Sequence, residues 1–314
     1  MLAAYVEKFN AHDPVSALVI GDRPEPADRD GWAVIDVKAA SINHHDIWSL
    51  RGVGLAEQNL PMILGCDAAG IDGQGREVVV HAVISEPLPA GDSVLSERHQ
   101  GTFAERLAVP RAILIPKPAG LSFAEAACLP TAWLTAYTMI FRQAGIVAGD
   151  TVLVQGASGG LSTALIVLGR AAGLQIWVTG RSADKLEFAK RLGAHDVFPS
   201  GAKLPERVDA VMDSVGAATW SHSLKALRPN GTLVVAGATS GYVAETEISR
   251  IFARQLRIVG TAMGSQEDLR RLLQFCAANH ISPPIHSILP LSSAREAFAV
   301  VASGDVFGKV VLEP

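Results

Sequence analysis

The chain has 314 residues, 49% of them hydrophobic and 18% charged, with a net charge of −4. That length suits two domains, and the apolar content can fill two cores, which excludes long disordered tails. Both charge signs are interspersed without a Lys/Arg block, which argues against nucleic acid or an anionic membrane as partner.

The first 120 residues read as short strands and turns. Strands are expected at 1–6, 15–20 and 32–40, then a short helix or turn over 44–50, a dense β-branched run over 77–84, and strands at 103–109 and 112–115. Pro87, Pro89 and Gly91 mark a loop running to about Gly101. This texture predicts a small β-barrel-like domain. Helical spacing begins at 123–129 and 132–142. From Thr151 strands (151–155, 175–179, 208–213, 232–236, 256–260) alternate with helices (159–172, 183–192, 217–227), the pattern of a doubly wound parallel sheet. A helix at 267–277, a strand near 286–289, a helix at 292–302 and a strand at 309–312 complete the chain. The domain reading is 1–125, then 126–262, with 263–314 returning to the first domain.

The three cysteines, Cys66, Cys128 and Cys276, lie far apart without CxxC spacing. Neither a disulfide framework nor a four-cysteine structural zinc site is expected, and free thiols suit a cytoplasmic location. Glu7 and Lys8 interrupt any signal-peptide core. No uncharged apolar run reaches the ~18 residues of a transmembrane helix.

The segment from Val152 to Ser162 follows a strand and opens a helix, with Gly156, Gly159 and Gly160 spaced for a dinucleotide pyrophosphate. Gly156 permits the tight turn, and Ser162 stands at the usual third glycine. Ser158, Gly159, Gly160, Leu161 and Ser162 are therefore read as the phosphate cradle. The second strand ends in Thr179-Gly180-Arg181-Ser182, with Lys185 beyond and no carboxylate to bind the ribose hydroxyls of NAD. Arg181, Ser182 and Lys185 can instead meet a 2′-phosphate, so NADPH is the expected cofactor. The alternative is that Arg181 and Lys185 are solvated helix-start residues.

Several strings in order carry a family resemblance. Ser41-Ile-Asn43 through Asp46 to Arg51-Gly52, Leu64-Gly-Cys66-Asp67 to Gly70, Gly101-Thr-Phe-Ala-Glu105, Leu134-Thr-Ala-Tyr137, Asp213-Ser-Val-Gly216 and Gly308-Lys-Val-Val311 resemble medium-chain dehydrogenases/reductases, closest to their quinone oxidoreductase branch. The resemblance implies an α/β fold: a GroES-like β-barrel catalytic domain plus a Rossmann domain with a doubly wound parallel sheet, the active site lying in the cleft between them. It places Asn43 and Thr135 near the nicotinamide. Thr179, Ser214, Val215, Gly237, Ala238 and Thr239 line the cofactor at strand ends, and Met263, Gly264 and Lys309 close over it. Lys309 is read as reaching a phosphate or carboxamide, or as a plain strand-edge lysine. By the same alignment, the positions that hold catalytic zinc in zinc-using members are Asn43, Cys66, Asp67 and Thr131, so no metal is expected; the alternative is a site from Cys66, His44 or His45 and Asp67.

Without a Lewis acid, an acceptor that spreads the arriving charge is easier to reduce, which points to quinones and α,β-unsaturated carbonyls. Candidate proton donors are His44, His45, Asp46, Cys66 and His99. His45 beside Asp46 is the preferred catalytic pair. The alternatives are a helix-start histidine pair packing on Trp48, and Asp46 paired with Arg51. Asn43, Trp48, Cys66, Thr131 and Trp133 are candidate cleft residues, with the two tryptophans otherwise serving as packing. A homodimer is expected through the edge strand 256–260. Competing functions are an alcohol or aldehyde dehydrogenase with an atypical metal site, and a non-catalytic NADPH-binding protein.

Overall fold

The computed structural model describes residues 1–87 and 91–314; the expected loop residue Pro89 lies outside them. Residues divide into two compact units, Met1–Thr131 with Ser265–Pro314, and Ala132–Gly264. In chain order the first unit opens with β1 (Leu2–Val6), β2 (Leu18–Asp22), β3 (Trp32–Ser41), α1 (His44–Leu50), β4 (Met62–Ile63) and β5 (Asp67–Asp72). It continues through β6 (Glu77–Val80), β7 (Val83–Ser85), β8 (Asp92–Val94), β9 (Arg106–Pro110), β10 (Leu114–Pro116) and α2 (Phe123–Ala127). The second unit holds α3 (Leu134–Thr138), β11 (Thr151–Gln155), α4 (Gly160–Ala171), β12 (Gln175–Gly180), α5 (Ala183–Arg191) and β13 (Asp196–Pro199). Then follow β14 (Val208–Asp213), α6 (Ala217–Ala226), β15 (Leu227–Val235), α7 (Ile248–Arg254) and β16 (Arg257–Gly260). The chain returns to the first unit with α8 (Gln266–Ala278), β17 (Ile285–Pro290), α9 (Ala294–Ser303) and β18 (Lys309–Glu313).

In the first unit the main sheet runs β10-β6-β5-β3-β18-β17, with β9 also on β3. Ten residues make β3 long enough to take two partners along its length: Trp32 to Asp36 pair with β9, and Ala40 and Ser41 pair with β18. Its other edge pairs with β5, placing Ser41 opposite Asp67. One row of the ladder therefore runs Asp67, Ser41, Val311 across three strands. The sheet's packing is closed by Phe298 of α9, which meets Phe103 edge-on at 5.7 Å, both rings fully buried. Such aromatic pairs add about 0.5–1.5 kcal/mol beyond their buried area.

Three features depart from the sequence reading. Asp67–Gly70, to which the sequence reading assigned no element, is strand: Ala and Gly are weak strand formers, but pairing on both edges overrides propensity. The run 77–84 breaks into β6 and β7 around His81 and Ala82, and the expected loop carries β8, which pairs with β7 as a two-stranded ribbon. Helix α2 stays with the first unit because it packs on β3 and β5, so the boundary falls after Thr131.

The second unit is a six-stranded parallel sheet of order β13-β12-β11-β14-β15-β16, doubly wound as expected. One sheet face is filled by Leu153, Trp177, Val208, Val211, Leu224 and Leu233. No helix of the described residues is long and apolar enough to cross a membrane.

Candidate functional site

In the first unit, three strand ends and a helix start converge. Ser41 ends β3, Asp67 begins β5, Lys309 begins β18, and α1 starts one residue after Asn43. Gly308, at φ 105°, makes the turn into β18; a Cβ there would collide with the Pro284 carbonyl oxygen, so only glycine delivers Lys309 at this angle. The Lys309 ammonium donates to the Ile42 carbonyl at 2.8 Å and to Asn43 Oδ1 at 2.5 Å, and lies 3.5 Å from Asp67 Oδ2. Asp67 Oδ2 also accepts from Ser41 Oγ at 2.9 Å and Asn43 Nδ2 at 2.8 Å, while Oδ1 accepts from Thr131 Oγ1 at 2.6 Å. Asp67 is 0% and Lys309 3% exposed, so a full ion pair is buried with its hydrogen bonds supplied. Lys309 is thus neither a strand-edge lysine nor extended toward a phosphate: its donors are spent inside the first unit.

His45 and Asp46 sit on the first turn of α1. Asp46 Oδ2 accepts the Asn43 N–H at 2.7 Å, tying the helix start. His45 Nε2 lies 3.2 Å from Glu97 Oε1, and Nδ1 lies 3.9 Å from Asp46 Oδ1. Glu97 is itself held by the Val94 N–H on Oε2 and by Asn59 on its carbonyl. Burial works against a charged ring, but Asp46, Cys66 and Glu97 hold the proton on it and raise the His45 pKa to about 12. Burial, then the Asp46 charge, pushes the Cys66 thiol up. Among the described residues Asp46 makes no ion pair with Arg51, and His99 goes elsewhere, against Trp32 and Glu86. His44 is exposed and Trp48 half-buried. Trp133, expected as a cleft wall, is fully buried with no partner on its indole N–H.

In the second unit, Gly156 (φ 93°) turns the chain out of β11, and α4 begins after Gly159. A Cβ on Gly159 would meet nothing within 4 Å, so this backbone is open to a ligand at a helix N-terminus. Ser162 Oγ packs against Gly156, but the close approach of α4 to the sheet is at Gly169, where a Cβ would press on Ile176. The Thr179 hydroxyl, expected at the cofactor, is buried and donates to Gln155 Oε1 at 2.5 Å. Gln155 in turn donates to Ser223, and Ser223 to Asp213. Asp213 also accepts from Thr219 and from the N–H groups of Val215 and Gly216, which fixes the turn after β14. This network under the strand ends was not read from the sequence; the polar Gln155, in an otherwise apolar strand, was its signal. Thr239 and Ser240 bond back to the Ser214–Val215 backbone, bringing Gly237, Ala238 and Thr239 beside Ser214.

Gly180 ends β12, Arg181 is exposed, and among the described residues it has no carboxylate partner. The Ser182 hydroxyl is buried without a formed hydrogen bond, though near enough to Asp184 to help hold that carboxylate below its usual range. Lys185 is half-buried on α5. Past an open phosphate loop, Arg181 thus offers a guanidinium to an anion, while the Ser182 hydroxyl lies by Asp184. Thr135 Oγ1 accepts the Met263 N–H at 3.1 Å, and Gly264 packs too tightly on Leu134 and Thr138 to carry a side chain.

Two family models match the chain. Residues 29–119 match the alcohol dehydrogenase GroES-like domain, and residues 160–278 match the zinc-binding dehydrogenase model. The chain is 30% identical to a "Probable quinone oxidoreductase" of Schizosaccharomyces pombe over 95% of this chain and 94% of that protein. It is similar to the crystal structure of an NAD-dependent alcohol dehydrogenase (TM-score 0.92, 32% identity, 100% of both chains). It is also similar to the 2-octenoyl-CoA carboxylase reductase CinF in complex with NADP and 2-octenoyl-CoA (TM-score 0.91, 26% identity, 99% of this chain and 87% of that one).

The zinc in the second model's name does not fit the four aligned positions here. Asn43 and Thr131 offer an amide and a hydroxyl, poor zinc ligands, and both are bonded to Asp67. An ammonium already faces that carboxylate.

Two outcomes follow. Lys309→Met strands a buried carboxylate and should cost about 3–5 kcal/mol in a urea melt, with much of it regained in Lys309→Met/Asp67→Asn; a neutral single substitution would refute the pair's structural role. The raised His45 pKa gives a stabilisation complete below about 6.5 and lost as pH rises toward about 12. Unfolding free energy should therefore fall with pH from about 6.5 upward, and in Glu97→Gln the fall should level off at a lower pH; an unchanged levelling point would remove Glu97 from the account.

Proposed function

Because this chain belongs to the medium-chain dehydrogenase/reductase family, we propose that it is a zinc-independent, NADPH-dependent reductase of quinones or α,β-unsaturated carbonyls. The observation that carries the reading is the lysine–aspartate pair buried among the four aligned positions, which leaves them no metal chemistry to offer. When bound, the nicotinamide supplies a hydride from its C4. The chain's residues do the rest. Gly156 and Gly159 leave the phosphates room, the α4 N-terminus faces their charge, and Arg181 with Ser182 holds the 2′-phosphate.

An acceptor that delocalises its new charge lowers the barrier that a Lewis acid would otherwise lower. His45 keeps a positive charge near the carbonyl and returns a proton after hydride arrival, oriented by Asp46 and Glu97. Its high pKa suits transfer to a strongly basic enolate oxygen more than to a phenolate, which favours the unsaturated carbonyl over the quinone. The names of the similar proteins support both acceptors, and the reductase structure binds NADP. The similar NAD-dependent alcohol dehydrogenase represents the opposing cofactor choice.

The chain works as a homodimer. β16 is a sheet edge among the described strands, and Ile248, Phe252 and Ile258 beside it are exposed.

Turnover should consume NADPH with 1,4-benzoquinone and with simple enones, and chelators should not lower it. Arg181→Ala should raise KM for NADPH about 10-fold to 100-fold, the loss of one charge-assisted bond, with KM for NADH unmoved. Equal use of both cofactors by the parent chain would refute the NADPH assignment, and zinc-dependent oxidation of simple alcohols would refute the reaction. Sedimentation should give twice the chain mass of 33.0 kDa, falling to one in Phe252→Glu/Ile258→Glu; a monomeric parent would refute the dimer.

A further inference from the structure

The fold of the first unit gathers charges that the sequence keeps apart. Arg23, Arg29, Arg98 and Arg106 all line one cavity of about 410 Å³. Apart from His99, none of the residues weighed above for catalysis or cofactor binding lines it. One wall is the stretch from Arg23 to Ala27, in which Pro24 and Pro26 fix their own φ and keep the residues before them extended. The Arg23 N–H ties that stretch to the Met1 carbonyl at 2.9 Å. Trp32, Ile63 and Leu107 add apolar surface.

Two of the four guanidiniums are already matched. Arg106 lies 3.0 Å from Asp36 and 3.7 Å from Glu25, and Arg98 lies 3.7 Å from Glu86. The other two form no ion pair among the described residues. Arg29 sits 4.3 Å from the centroid of the Trp32 ring, and Arg23 sits 5.0 Å from that of Tyr5. An aromatic face holds a guanidinium in place without neutralising it. Arg23 Nε is moreover buried with no hydrogen-bond partner, which a merely solvated surface arginine would not show. His99 Nε2 is buried and unmatched too, 3.4 Å from Glu86 Oε1 but not aligned for a hydrogen bond. The carboxylate beside it favours the tautomer that carries hydrogen there. Two buried donors on one cavity thus lack an acceptor, and buried donors seldom do.

We propose that this cavity binds a small organic carboxylate with an apolar body, the carboxylate accepting from Arg23 with His99 as second donor, and the body lying against Trp32 and Leu107. The volume is that of a small-molecule site. A carboxylate matches the planar fork of a guanidinium. A bare inorganic anion would leave the apolar walls wet, and a neutral ligand would leave the Arg23 charge uncompensated. The inference does not rest on the reductase reading.

Calorimetric titration of 2-naphthoate into the full chain tests the site, with 2-naphthamide as its neutral counterpart. Saturation at one equivalent is expected, with the amide about 10-fold weaker or worse. Arg23→Gln should weaken naphthoate about 10-fold to 100-fold, the loss of a charge-assisted bond, whereas Arg228→Gln, in the other unit, should match the parent. The indole N–H resonance of Trp32, identified by its loss in Trp32→Phe, should move during the titration of the parent, which locates the ligand even if Arg23→Gln does not fold. No binding, equal binding of acid and amide, an unmoved Trp32 resonance or unchanged affinity in Arg23→Gln overturns the proposal. Acetate or inorganic phosphate binding as tightly as naphthoate also overturns it, leaving an unspecific anion patch. So does 2-naphthyl phosphate binding where naphthoate does not, which would assign the cavity to phosphate esters.

Discussion

A single buried ion pair organises the catalytic unit. Lys309 and Asp67 are almost wholly withdrawn from water, and each arrives on a different strand of one sheet. Two lone charges in that position would each cost several kcal/mol in desolvation, so neither residue tolerates the other's absence. The pair also fixes everything around it. Asn43 is gripped from both ends, by the ammonium on its oxygen and by the carboxylate on its nitrogen, and α1 starts from that anchored residue. His45 and Asp46 hold their places because the helix beneath them cannot shift.

The parts legible in sequence were those whose physics is local. The phosphate loop announces itself because a strand, three glycines and a helix start fall within a dozen residues, and the alternation that follows leaves little choice but a parallel sheet. The same holds for Asn43, Cys66, Asp67 and Thr131, whose motifs flagged the positions although not what binds them together. Glu97 was invisible: its bond to His45 spans 52 residues, and it lies on a segment with no periodicity. The direction of Lys309 was equally hidden, since an alternating strand does not say which face its first residue turns to. Thr179 was misplaced for a related reason, a hydroxyl at a strand end being equally able to meet a ligand or a neighbouring side chain. Here the neighbour is Gln155, and the outcome depends on the register of β11 against β12.

The two units solve buried polarity in opposite ways. Under the phosphate loop, Asp213 is a buried carboxylate with no cation beside it among the described residues; hydroxyls and backbone N–H groups donate to it. In the catalytic unit the compensation is a full positive charge, and the adjoining histidine is charged as well.

Gly308 and β18 give this design a chronology. The carboxylate of Asp67 emerges from the ribosome early, whereas the ammonium that neutralises it follows 242 residues later. Throughout that interval the entire dinucleotide-binding unit is synthesised and can close on its own core. The first unit, by contrast, has the donors of Ser41, Asn43 and Thr131 for Asp67 in place but lacks its cation. The Asp67–Lys309 contact can therefore form only after the dinucleotide-binding unit has been synthesised.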